Sequence, residues 1–158
     1  MSKYNEIAAL AAKWSRAVFQ NQQECQRLAT AFVRGYADYL GCPTSNFEFR
    51  RLDGSLKITD DSIPFGGAIP FVLDGDGFWH FCLRIKFDGP DPRALANEQL
   101  KLSIKYQNNI VTIRDEQEFQ VNPAVTDAFL SLYDRMFETS LAEFSSPLVR
   151  QSRRIGFV

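Results

Sequence analysis

The chain has 158 residues, of which 45% are hydrophobic and 23% are charged, and its formal net charge is -1. A chain of this size and composition buries roughly two thirds of its unfolded surface as a single domain, which excludes global disorder. The near-neutral charge excludes electrostatic attraction of the whole protein to nucleic acid or to an anionic membrane, and it leaves only local charge clusters as candidates.

The cysteine pattern and the first residues predict a reduced environment. Cys25, Cys42 and Cys82 form an odd set without a C-x-x-C pair, so neither a disulfide framework nor a cysteine-based zinc site is expected. Residues 1–6 are polar and no apolar leader follows them, and no continuous apolar run reaches membrane-spanning length. We therefore expect a cytoplasmic protein in which residues 1–158 form one domain.

The first 41 residues predict two amphipathic helices. Ile7, Leu10 and Trp14 recur at helical spacing, and a second stripe begins at Cys25. Gly41 favours the left-handed conformation that ends a helix. Because neither Gly nor Pro interrupts the intervening glutamine-rich stretch, the two helices form either a hairpin or one kinked rod.

The apolar period changes from 3.6 to 2 at residue 47, which predicts an antiparallel sheet over residues 47–121. Asp53-Gly54 is typical of a two-residue hairpin turn. That turn places Phe49 opposite Ile58.

Residues 78–87 form the predicted central strand of the sheet, preceded by a strand over residues 68–73 and a two-residue turn in between. Alternate side chains such as Trp79 face the helices, and the others, beginning with Phe78 and His80, face outward. The strand therefore has an apolar inner face and an outer face that becomes cationic toward its end.

Two further signals complete the predicted topology. Asn108-Asn109 predicts a hairpin that places Ile104 opposite Ile113, because Asn tolerates the left-handed region. Asn122-Pro123 predicts the start of a helix, with Asn as the N-cap.

The predicted fold class is α+β. An antiparallel meander of five or six strands carries two N-terminal helices and one C-terminal helix on one face, as a two-layer sandwich. The helical region covers 1–41, the sheet 47–121, the last helix 122–144 and a tail 145–158.

One candidate site is an apolar patch at one end of the outer sheet face. The predicted registers place Phe71, Leu73 and Phe78 together there, and exposed patches of this kind mark interfaces or are covered by another segment. The tail, with Ile155 and Phe157, is the expected cover, either within one chain or donated to a second copy.

A second candidate site is cationic. Seven basic side chains, Arg50 and Lys57 among them, would share the outer face. The five predicted to neutralise phosphates are Arg84, Lys86, Lys101, Lys105 and Arg114. The same face is better explained as a solvated surface whose charges discourage edge pairing, because aromatic residues do not interleave with most of the charges and no RNP-like motif is present.

Catalytic and metal chemistry find little support in the sequence. His80 and Cys82 share the outer parity, but the pair lacks an orienting group, and no further nitrogen or sulfur ligands lie nearby. Arg84 and Lys86 beside them are expected to lower the Cys82 pKa. The loop acids, among them Asp88 and Asp91, could bind Mg²⁺ only if the fold brought them together, and nothing in the sequence does so. No catalytic residue, metal site or cofactor is therefore predicted.

The leading hypothesis is a small cytoplasmic protein-binding or adaptor module that uses the outer sheet face and the tail, with a second copy of itself among its candidate partners. The first alternative is an anion- or nucleic-acid-binding module on the cationic face. The second is an enzyme with a carboxylate or Cys82-centred site. No interaction with a membrane is expected.

Overall fold

The structure, a computed structural model, describes residues 2–89 and 96–145 together with the backbone of residues 155–157. Its helices are α1 (Lys3–Leu40), a 3₁₀ turn (Thr44–Asn46) and α2 (Leu130–Ser145). Its strands are β1 (Phe47–Leu52), β2 (Ile58–Pro64), β3 (Val72–Leu73), β4 (Trp79–Phe87), β5 (Ala96–Gln107), β6 (Ile110–Arg114), β7 (Glu118–Val121) and β8 (Ile155–Phe157). The fold is α+β with an antiparallel sheet, as predicted.

A single continuous helix replaces the two predicted at the N-terminus. The Ser2 hydroxyl caps α1 by accepting a hydrogen bond from the Asn5 backbone N–H at 3.2 Å. Gly41 ends the helix with φ of 72°, where a side chain would be strained. With no helix breaker between these caps, the chain remains helical for 38 residues, or about 57 Å.

The sheet is not the simple meander that the sequence predicted. Six strands follow the order β2-β1-β4-β5-β6-β7, so β1 lies between β2 and β4. The two short strands pair with the central strands of this path: β3 pairs with the start of β4 and β8 with the start of β5. Only β4 to β7 run as a meander.

The inner face of the sheet packs against both helices. The predicted faces of the central strand are confirmed, since Trp79, Phe81, Leu83 and Ile85 are all buried in the core. Leu28, Ala29, Phe32, Val33 and Tyr36 of α1 and Leu132, Tyr133 and Met136 of α2 join them there. The predicted Ile104 to Ile113 pairing is also confirmed, across a turn in which both asparagines have positive φ.

The first hairpin has a longer turn than predicted. Leu52 pairs with Ile58, so the loop spans five residues and Phe49 lies opposite Ile63 rather than Ile58. The Asp53 carboxylate accepts hydrogen bonds from the backbone N–H groups of Ser55 and Lys57 at 2.8 and 2.9 Å. This Asx-type turn stabilises the wider loop in place of the two-residue hairpin.

The second hairpin has the same construction. The Asp74 carboxylate accepts from the backbone N–H groups of Asp76 and Phe78 at 2.8 and 3.0 Å. Gly77, with φ of 86°, occupies the left-handed position of this loop. The register therefore shifts by one residue, and Leu73 pairs with Trp79.

The predicted start of the last helix is also corrected. Asn122 forms an Asx turn by accepting from the Ala124 backbone N–H at 3.0 Å, and α2 begins only at Leu130. Asp127 precedes it with φ of 57°, which is not a helical conformation. The chain therefore passes through turns between residues 122 and 129 before it becomes helical.

Candidate interaction surface

Nearly half of α1 extends beyond the sheet, and its residues are exposed in the described chain except for Val18, which is half-buried against the core. We call residues 3–20 the arm, which is about 27 Å long. Five large apolar side chains of the arm are mostly exposed: Tyr4 by 77%, Ile7 by 68%, Leu10 by 68%, Trp14 by 66% and Phe19 by 57%. An apolar surface of this size is uncommon on a free monomer and marks an interaction site.

Tyr4, Ile7 and Trp14, three of the five exposed residues, continue the face by which the same helix enters the core. Tyr4, Ile7, Ala11, Trp14 and Val18 are spaced alternately by three and four residues, and we call this set the apolar stripe. The same spacing leads on to buried residues of α1, namely Cys25, Leu28 and Phe32. This face of α1 thus packs against the sheet in the second half of the helix, whereas in the first half, before Val18, it has no partner among the described residues.

Asn21 marks the point where α1 leaves the sheet. Its side-chain amide donates to the Tyr106 backbone carbonyl and accepts from the Trp79 indole N–H, both at 3.0 Å. One turn later, the Gln26 amide makes paired hydrogen bonds with the backbone of Ile69 at 2.6 and 2.9 Å. These polar contacts fix the direction in which the arm projects.

The apolar patch predicted on the outer sheet face does not form. Phe71 packs on the core side, with its ring 5.7 Å from Trp79 and 5.6 Å from Phe81. Leu73 shares that side because it pairs with Trp79. Phe78 alone stays on the outer face, so the one-residue register shift separates the three residues.

Phe78 is itself covered by cations. The Arg114 guanidinium lies 4.0 Å and the Lys105 ammonium 5.4 Å from the centre of its ring. Lys105 also donates to the Asp76 carbonyl at 2.9 Å, and Arg114 lies 3.7 Å from the Asp74 carboxylate. Two of the five predicted anion-binding residues are therefore engaged within the chain.

Two more of the five are paired with Glu48. Its carboxylate lies 2.9 Å from the Arg84 guanidinium, 3.2 Å from the Lys86 ammonium and 3.7 Å from Arg50. Burial by itself raises the Glu48 pKa, but the hydrogen bond from Lys86 and the charges of Lys86, Arg84 and Arg50 outweigh it and hold that pKa below its ordinary value. We call these four residues the Glu48 cluster.

Lys101, the fifth predicted anion-binding residue, is exposed and makes no ion pair within the described residues. It lies between the two groups, opposite Cys82 on the neighbouring strand. The structure therefore provides a divided and largely neutralised face rather than a continuous cationic platform.

Cys82 is fully buried beneath the basic side chains of the outer face. Burial raises the pKa of its thiol to about 12, although the charges of Lys101, Arg50 and Arg84 oppose this effect. The neighbouring cations therefore lower the pKa of Cys82 as expected, but burial raises it by more. Thiolate chemistry at neutral pH is disfavoured as a result.

We predict that alkylation of the native protein will discriminate among its three free cysteines. Iodoacetamide at pH 8 should modify half-buried Cys42 first. Cys82 should react at least about a hundredfold more slowly in the native protein than in urea, because burial disfavours its thiolate form and blocks access of the reagent. Peptide mass spectrometry at timed intervals measures the rates. Equal Cys82 rates in native and unfolded protein would restore it as a candidate nucleophile.

His80 has a structural partner of its own. Its Nε2 atom lies 2.7 Å from the Asp74 carboxylate, which ties the strand to the turn before it. Among the described residues, no three His, Cys, Asp or Glu side chains cluster as metal ligands would. Asp91, one of the loop acids considered for Mg²⁺, lies outside that part of the chain.

The tail adds a strand to the sheet rather than lying across its outer face. In β8, Phe157 pairs with Ala96 and Ile155 pairs with Glu98 along β5 of the same chain. The side chains of Ile155 and Phe157 lie outside the described residues. The backbone pairing therefore places the tail beside the start of β5, away from Phe78.

An apolar cavity of about 300 Å³ lies between the two helices and the ends of β4 and β5. Tyr36, Leu40, Phe87, Phe137 and Phe144 contribute to its lining. Next to it, Ser140 donates a hydrogen bond of 2.6 Å to the buried carboxylate of Glu98. Phe87 and Phe144 lie close in sequence to segments outside the described residues.

Comparisons with protein-family models, with curated proteins and with solved structures found no match for this chain. In the described residues, no helix combines the length and apolar character needed to cross a bilayer. Function must therefore be inferred from the chain's own residues.

Proposed function

We propose that this protein is a protein-interaction module whose docking element is the arm of α1. The observation that carries this proposal is the exposed apolar stripe on a helix that is otherwise anchored in the core. The stripe replaces the outer sheet face as the proposed binding surface, because most of that face is occupied by internal ion pairs.

The size of the exposed surface supports protein binding. Each aromatic side chain offers roughly 150–250 Å² and each aliphatic one somewhat less, so the five partly exposed side chains present on the order of 650 Å² to solvent. One partner of a standard interface buries about 800 Å². The arm therefore supplies most of one side of a specific protein–protein interface.

The charge distribution of the arm favours a protein over a lipid surface. An interfacial membrane helix places Lys and Arg on its polar face beside an apolar face. Here the arm carries only four charges, Lys3, Glu6, Lys13 and Arg16, and its polar face also holds Ala9 and Ala12. The arm therefore lacks the strongly charged polar face that is typical of an interfacial membrane helix.

The two alternative functions are less well supported. Four of the five predicted anion-binding residues contact acidic groups, a backbone carbonyl or an aromatic ring within the chain. The candidate nucleophile Cys82 is buried. Neither feature offers an unoccupied site comparable to the arm.

Site-specific photo-crosslinking tests the proposal. p-Benzoylphenylalanine at Trp14, irradiated in the cells that naturally make the protein, should give a discrete protein adduct of defined mass. The same probe at Arg16, which lies on the opposite face of the arm, is the matched control and should give little. If the Trp14 probe yields no more adduct than the Arg16 probe, the arm is not a protein-docking element.

A further inference from the structure

We infer that the partner of the arm is a second copy of this chain, whose arm packs antiparallel against the first. This inference rests on the proposed function, because it uses the same apolar stripe. The alternation of three and four residues along the stripe gives a seven-residue repeat. Such a repeat lets two helices interlock side chains along a shared seam.

The residues that flank the stripe allow two identical helices to approach. Between Tyr4 and Val18, the flanking positions hold Ala8, Leu10, Ser15 and Ala17, none of which is charged. These flanks are where like charges would otherwise repel a second copy. Three of the four are small, so the helix backbones can come close together.

The order of side-chain sizes favours the antiparallel arrangement. In that arrangement Trp14 packs on Ala11 of the second copy and Ile7 packs on Val18, so large groups meet smaller ones. A parallel pair would place Trp14 against Trp14 and Ala11 against Ala11, which crowds one layer and leaves a gap in the next. The antiparallel pair is also symmetric, so each copy buries the same surface.

The geometry leaves room for the rest of each molecule. The body of the protein contacts α1 from half-buried Val18 onward, at the last residue of the stripe, and holds it by the Asn21 hydrogen bonds. In an antiparallel pair the two sheets therefore lie at opposite ends of the paired arms. Because Phe19 lies off the seam, the two arms together bury on the order of 1,000 Å². This is the small end of specific interfaces, where a Kd on the order of 10 µM is expected.

Sedimentation velocity on the purified full-length chain tests the inference. At about 100 µM the chain should sediment with twice the 18.0 kDa mass of one copy, since this concentration exceeds the expected Kd. The double variant Ile7→Glu/Trp14→Glu should be monomeric, with Kd raised at least about a hundredfold by the buried charges. Asn5→Glu/Gln20→Glu adds the same charge on the polar face and should remain dimeric.

Short-range crosslinking tests the orientation in a Cys42→Ser background, where the two remaining native cysteines are buried. A bismaleimide spanning under about 10 Å should link Ala11→Cys to its counterpart. It should not link Tyr4→Cys, because antiparallel pairing separates these positions by about 25 Å along the helix. Efficient linkage of Tyr4→Cys would show a parallel pair and overturn the proposed arrangement.

The remaining outcomes separate this inference from the proposed function. If the pure protein stays monomeric at 100 µM while the Trp14 photo-probe captures a different protein, the second copy is ruled out as the partner and the docking role stands. If it stays monomeric and instead floats with vesicles of phosphatidylcholine and phosphatidylglycerol, both proposals fall. Dimerisation that Ile7→Glu/Trp14→Glu leaves intact would overturn the inference, because the contact would then lie elsewhere.

Discussion

Glu48→Gln should destabilise the protein by about 2–3 kcal/mol at pH 7, because it leaves poorly solvated arginines without their shared carboxylate. The side chains of Glu48, Arg84 and Arg50 are only 13%, 11% and 16% exposed. Water therefore screens them poorly, which distinguishes this cluster from an ordinary surface ion pair. Urea unfolding followed by circular dichroism measures the change.

The pH dependence of stability should change with the same substitution. The cationic neighbours of Glu48 hold its pKa below the ordinary value in the folded protein. The stabilisation is therefore fully present above the unfolded pKa and is lost as pH falls through the lower folded value. The difference in unfolding free energy between wild type and Glu48→Gln should shrink steadily on acidification below about pH 4.5.

Two companion variants make the result specific. Glu116→Gln removes an exposed carboxylate and should change stability by less than about 0.5 kcal/mol. Glu48→Gln/Arg84→Gln removes both charges of the closest pair and should be more stable than Glu48→Gln alone, because one fewer cation is left unpaired. A Glu48→Gln protein as stable as wild type would mean that the cluster contributes nothing.

The same substitution tests whether the ion pairs of Glu48 keep the cationic face from binding nucleic acid. Glu48→Gln releases Arg84 and Lys86 near unpaired Lys101, so binding to single-stranded nucleic acid at low salt should appear or strengthen. Tight, salt-dependent binding by the wild type would instead favour the anion-binding function predicted as an alternative. Fluorescence anisotropy with a labelled oligonucleotide distinguishes these outcomes.

The faces of the strands were predictable from sequence because alternation depends only on the strand period. Trp79 and its alternate neighbours face the helices as expected, and the hairpin at Asn108 keeps its predicted register. In that hairpin both turn residues adopt positive φ, which the identity of asparagine already suggests. At this hairpin the turn residues and the packing of the two strands favour the same register.

The registers of the other two hairpins were not predictable from an Asp-Gly pair alone. Asp53 and Asp74 each use the carboxylate to hold two backbone N–H groups, and this widens the loop. At the second hairpin the shift moves Leu73 from the outer face to the core side, which removed the predicted apolar patch. A single turn thus decided where one candidate site could lie.

The arm was present in the sequence but was assigned to the core. The length of the uninterrupted helix could have revealed the arm, because the chain between Ser2 and Gly41 contains only one glycine and no proline. An uninterrupted helix of about 57 Å is longer than any strand of this sheet, the longest of which spans about 40 Å. An apolar stripe along such a helix cannot be buried at both ends by one small sheet.

The last prediction concerns the anchor that holds α1 on the body while its arm projects. Gly35 faces Tyr133 of α2, whose hydroxyl donates to the Phe32 carbonyl at 2.7 Å. A Cβ at position 35 would overlap this hydroxyl and lie 3.2 Å from Cζ. The ring cannot easily retreat, since Phe32 and Tyr36 pack 5.3 and 5.4 Å from it, centre to centre.

Gly35→Ala should therefore destabilise the protein by about 1–3 kcal/mol, whereas the same change in an unobstructed helix interior stabilises by about 0.5–1 kcal/mol. In a Tyr133→Phe background the overlapping oxygen is gone, and the cost of Gly35→Ala should fall by about 1 kcal/mol or more. Ser15→Ala on the exposed arm is the control and should be neutral or slightly stabilising. A stabilising Gly35→Ala, measured by urea unfolding, would mean that α2 does not pack as closely on α1 as this contact requires.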